Sequence, residues 1–103
     1  MAEREYFERR ITEQRTNRPH PRTADHGTMT DWLQCCLTIS ENAEHEGLVD
    51  RREVSIPYSS MMSALFVGQY ERALQVGDQM MDAIGCQITL NVAYTHYRNR
   101  IGQ

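Results

Sequence analysis

Three cysteines and four histidines are the side chains that could carry thiol or transition-metal chemistry, and their spacing suits neither. Structural zinc sites draw ligands from short pairs such as Cys-x-x-Cys or His-x-x-x-His, because such spacings already converge. Cys35, Cys36, Cys86, His20, His26, His45 and His96 form no such pair. Cys35 and Cys36 are adjacent, and a third thiol at Cys86 leaves an odd count, so a disulfide framework is not indicated and a reducing compartment fits. Cys36 falls on the apolar side of its helix and reads as a small buried hydrophobe. A nucleophile–base pair from Cys35 or Cys36 with His45 fails on geometry, since their separation along a helix is roughly 14 Å. His96 has carboxylates to choose from but no defined partner for acid–base work. Glu41, Glu44, Glu46 and Asp50 lack the alternating ligands and central glycine of a calcium loop. They read as a solvated face. No glycines lie close enough together to cradle a phosphate. The chain is therefore expected to have no catalytic residue, no metal site and no cofactor.

Charge narrows the partners further. All eleven basic residues are arginines. Arginine-favouring codon usage accounts for this; the alternative is a need for guanidinium forks against carboxylate or phosphate. Residues 1–28 hold six arginines and five acids, residues 29–97 hold Arg51, Arg52 and Arg72 against nine acids, and Arg98 and Arg100 close the chain. An acidic body with basic ends argues against nucleic acid, which asks for a clustered basic face. The longest uncharged run, Val54 to Tyr70, is broken by Pro57, Ser59, Ser60 and Gly68, so it does not read as a membrane span. The N-terminus is charged at once and has no apolar signal region. A cytoplasmic location is expected.

Periodicity supplies the elements. At 103 residues the chain reads as one domain with a modest core. Residues 3–16 are rich in helix formers, but Tyr6, Phe7 and Ile11 make a thin stripe that needs further contact to persist. Pro19 and Pro21 hold the next stretch extended, and Gly27 ends it. The expected division is an N-terminal arm and linker over 1–28 and a helical body over 29–103. Thr30 is the expected N-cap of a helix over 30–46 carrying Met29, Trp32, Leu33, Cys36 and Leu37 on one side, with Gly47 as its stop. Ser59 to Gly85 then shows the most sustained helical pattern, with four of the six methionines. Gly68 divides it into helices near 58–67 and 70–84. Gly77 would let a neighbouring backbone approach, and Gly85 would end the second helix. In the C-terminal stretch, Leu90, Ala93, Tyr94, Tyr97 and Ile101 sit at helical spacing, while Ile88, Leu90, Val92 and Tyr94 also alternate as in a strand. Arg98, Arg100 and Gly102 look like the last turn and cap of a helix. The reading is all-α, about four short helices after an extended arm. The alternative is α+β, with strands near 52–57 and 87–97.

The run Gly68-Gln69-Tyr70-Glu71-Arg72-Ala73-Leu74 resembles the turn between the two helices of a tetratricopeptide repeat, where a glycine, an aromatic residue and an alanine occur at such spacing. The likeness spans roughly 15 residues, and no second copy follows one repeat length away. It implies a local helix–turn–helix unit.

With no catalytic constellation, the expected role is a small non-catalytic protein–protein interaction module: an adaptor, an inhibitor or a subunit of an assembly. The doublets Met61-Met62 and Met80-Met81 widen the apolar stripes, and methionine suits adaptable surfaces. Trp32, Tyr94, Tyr97 and Arg98 could join them in a partner-binding face beside the acidic surface. Dimerisation through the central helices is the natural corollary. The alternative is a helix–turn–helix transcription regulator, but the candidate recognition helix from Tyr70 to Ile84 carries Arg72 alone against Glu71, Asp78 and Asp82.

Overall fold

A computed structural model describes the backbone of residues 3–101 and the side chains of residues 4–90. It has four helices: α1 (Glu3–Thr16), α2 (His26–His45), α3 (Arg52–Phe66) and α4 (Tyr70–Ile101). The all-α expectation holds, and the described residues include no strand. Residues 52–57 open α3, and 87–97 lie within α4. Val54 is buried and Ile56 is exposed. Residues two apart share a face in a strand but diverge by about 200° in a helix, so the apparent alternation carried no strand.

Glycine fixes two of the connections. Gly47 and Gly68 have φ of 74° and 78°, the left-handed region where a side chain is strained. After α2, Gly47 N–H donates to Glu44 O and Leu48 N–H to Ala43 O. After α3, Gly68 N–H donates to Leu65 O and Gln69 N–H to Ala64 O. Both are Schellman closures, which satisfy the last carbonyls and turn the chain sharply. Gly68 therefore divides the central segment as expected.

Several boundaries differ from the sequence reading, and α3 begins at Arg52 where a helix near 58–67 was expected. Asp25, not Thr30, caps α2: its Oδ1 accepts from Thr28 N–H at 2.7 Å. Thr30 instead lies inside the helix and donates to His26 O. Gly27 sits in the first turn and terminates nothing. Gly85 does not end a helix either, because α4 runs on to Ile101. The inward positions Leu74, Gly77, Met81, Ile84 and Ile88 keep a three–four spacing across Gly85, so the buried face continues and holds the helix through it. At 32 residues α4 is about 48 Å long, which sets the long axis of a molecule measuring 55 × 24 × 17 Å.

Gly77 does admit a close neighbour, but that neighbour is a side chain, not a backbone. A Cβ there would lie 2.6 Å from Cζ3 of the Trp32 ring. Trp32 is thus wedged against the α4 backbone.

The N-terminal segment differs from an extended arm over Glu3–Thr16, where it is a helix docked on α2 and α4. Phe7 and Ile11 enter the core with Met29, Leu33, Met61, Leu65, Leu74 and Ile84. Gln14, one helical step further, is buried. Its side-chain amide donates to Trp32 O at 2.5 Å and to Cys36 Sγ at 3.3 Å, while Trp32 Nε1 donates to Gln14 O at 2.8 Å. Arg18 pairs with Asp78 at 2.8 Å, and Arg15 pairs with Asp82. These contacts supply what the thin stripe of α1 lacked.

Candidate functional site

The thiols and histidines do not converge. No group of three metal-ligating side chains occurs among the described residues. Cys36 lies in the core, where burial pushes its thiol up to about 12, far from the thiolate that nucleophilic chemistry needs. Cys35 and Cys86 are exposed, and all three cysteines are free. His26 faces Tyr70, Nδ1 to Oη 3.1 Å, which ties the start of α2 to the start of α4.

The expected partner face is distributed differently from its sequence reading. Met61, Met80 and Met81 are fully buried, and Met62 is half-buried against the same core. Trp32 is buried with its indole N–H satisfied. The two methionine doublets therefore widen the inner faces of α3 and α4, where their flexible side chains join the core that holds Trp32 and Leu33. Tyr94, Tyr97 and Arg98 lie on α4 beyond the residues whose side chains are described.

A different surface stands out. The outer face of α3 comprises Ser55, Ile56, Ser59, Ser60, Ser63 and Phe66, followed by Val67. All are exposed; Ile56 is at 67%, Phe66 at 89% and Val67 at 62%. After Arg52 and Glu53 in its first turn, α3 carries no charged side chain. The outer positions of α1 hold Arg4, Glu5, Glu8, Arg9 and Glu13, and those of α4 hold Glu71, Arg72, Gln75, Gln79 and Asp82. A solvated helix face normally looks like the latter two. The signal was present in the sequence as the uncharged run from Val54 to Tyr70, which there served only to exclude a membrane span.

Two concavities adjoin this face at the α3–α4 turn. A groove of about 320 Å³ is lined by Ser59, Ser60, Ser63, Val67, Gln69 and Arg72. An open cleft of about 850 Å³ lies between this turn and the α1–α2 connection, with Pro21 and Arg22 on one side and Gly68 to Arg72 on the other. Arg72 lines both, so the two form one continuous surface at this pole. Among the described residues no helix is long and apolar enough to cross a membrane. The chain matches no protein-family model, no curated protein and no solved structure.

Proposed function

We propose that this chain is a small non-catalytic protein–protein interaction module, an adaptor, inhibitor or subunit, that presents the outer face of α3 to a partner protein. The observation that carries the reading is the nearly full exposure of Phe66 beside Val67 on a helix face without charge. Burying apolar surface is worth roughly 25 cal/mol per Å², and a large aromatic side chain at a small interface is a common anchor. The serines at 55, 59 and 63 recur every fourth residue, and small side chains let another backbone approach closely. A second copy of the chain is one partner this face would accept. A reducing, cytoplasmic setting belongs to the same proposal and rests on three free thiols.

The regulator reading gains no support from the site. Between residues 70 and 90 Arg72 is the one basic side chain, and Asp78 and Asp82 are engaged by Arg18 and Arg15. Affinity capture with the wild-type chain and with an Ile56→Asp/Phe66→Asp variant tests the proposal, with light scattering to detect self-association. Wild type is expected to retain a protein, or its own copy, that the variant loses while both keep the same circular dichroism. Equal retention by the two chains would remove the basis for assigning this face.

A further inference from the structure

The cleft at the α3–α4 turn carries unspent positive charge. Nine arginines lie among the residues with described side chains, and six of them pair with a carboxylate: Arg4, Arg9, Arg10, Arg15, Arg18 and Arg52. Arg22, Arg51 and Arg72 have no ion-pair partner among the described residues. Two of those three converge on one cleft, reached from opposite sides by the α1–α2 connection and by the first turn of α4. The charges facing it are Arg18, Arg22 and Arg72 against Glu71 and Asp78. Asp78 is occupied by Arg18 at 2.8 Å, which leaves two guanidiniums against Glu71. The cleft is thus locally positive on a chain whose formal net charge is −3.

We propose that this cleft receives an acidic segment of the partner protein, with its carboxylates on Arg22 and Arg72 and an adjoining large apolar side chain against Val67 and Phe66. This rests on the reading of the α3 face as the partner surface and specifies the chemistry of what binds there. Charge complementarity selects the occupant. Guanidinium forks hold carboxylates through charge-assisted, often bidentate bonds. Arg72 stands at the junction of groove and cleft, so a chain lying along the α3 face reaches the arginines without a gap. A long polyanion fits poorly, because α4 past Arg72 presents Asp78 at the cleft and Asp82 beyond it and has no further basic side chain up to residue 90. A short acidic stretch meets the two free arginines and stops.

Selection of random twelve-residue peptides on the intact chain, followed by fluorescence anisotropy with the enriched peptides, tests this. Enriched peptides are expected to carry Asp or Glu next to Phe, Leu, Ile or Trp. Arg22→Glu/Arg72→Glu should weaken them by roughly tenfold or more, as removal of paired charges does, with an unchanged circular dichroism spectrum. Replacing the acids of the peptide by lysine should restore binding to that variant and abolish it on the wild type. Peptides free of acids, or acidic peptides indifferent to the arginine pair and failing the charge swap but lost on Phe66→Asp, would overturn the cleft assignment and leave the α3 reading standing. Enrichment of no peptide, or binding unaffected by Phe66→Asp as well as by the arginine pair, would overturn both.

Discussion

Gln14 shows how much one polar side chain decides in this core. It lies a turn beyond Ile11 on the inner face of α1, buried, and reaches both the backbone and the thiol of α2. Its own carbonyl accepts the Trp32 indole N–H. Replacing Gln14 with Ala is expected to cost about 1–3 kcal/mol, the range for removing a buried hydrogen-bonding group, read as a lowered midpoint in urea. The sequence hid this contact. Phe7 and Ile11 were legible as a stripe, but a glutamine at the next inward position made it look thinner than it is. Trp32 was legible as a residue of consequence and misplaced as a surface one. The same neighbourhood governs the thiols. Cys36 is sealed with its pKa raised to about 12, chiefly by burial, while Cys35 and Cys86 are exposed. Iodoacetamide at neutral pH should therefore add two groups to the folded chain and a third only after denaturation, counted by mass spectrometry. Rapid triple labelling of the folded chain would contradict this packing.

At the scale of the elements, two glycines in α4 separate intrinsic preference from packing. Alanine is favoured over glycine in a helix by about 1 kcal/mol. Gly85→Ala should realise part of that gain, because its new Cβ would meet Ile11 Cδ1 at an ordinary 3.6 Å. Gly77→Ala should lose it, because the Cβ would fall 2.6 Å from the Trp32 ring. Overpacking a filled core costs typically about 1–3 kcal/mol, so this variant should melt lower, and thermal denaturation of the pair reads both signs. The special status of Gly77 was legible in the sequence from its place on the apolar stripe. The passage of the helix through Gly85 was legible only to a reader who carried the three–four spacing from Leu74 to Ile88 and let it outweigh a familiar stop residue. The start of α2 was hidden for a related reason: Gly27 followed the true cap and was taken for the end of a linker. That cap also sets a pH dependence. Asp25 is held below its ordinary range first by the Thr28 backbone N–H, and Asp50 first by that of Arg52. The folded chain thus binds fewer protons than the unfolded one as the carboxylates titrate. Their stabilisation is present above the ordinary carboxylate range and is lost as pH falls through the lowered folded values. Melting temperature should drop below about pH 4, and Asp25→Asn/Asp50→Asn should drop less over the same interval.

At the scale of the whole molecule, the distribution of apolar residues explains why the chain folds and where it remains open. The methionine doublets were read as part of a partner-binding face, because they widen the apolar stripes and methionine suits adaptable surfaces. In the structure Met61, Met80 and Met81 are sealed, with α2, α3 and α4 packed on one another and α1 docked on α2 and α4. The all-α class, the turn at Gly68 and the stop at Gly47 were legible because each follows from local periodicity or backbone geometry. The surface was not, because it depends on which side of α3 turns inward. Once Val54, Met61, Ala64 and Leu65 face the core, Ile56, Phe66 and Val67 must face water. That exposure is the centre of the functional account, and photocrosslinking in expressing cells tests it most directly. A benzophenone side chain at position 66 should give a discrete adduct, to another protein or to a second copy, and one at Gln34 on the outer side of α2 should not. A chain that crosslinks equally at both positions, or at neither, would contradict the assignment of α3 as the partner surface.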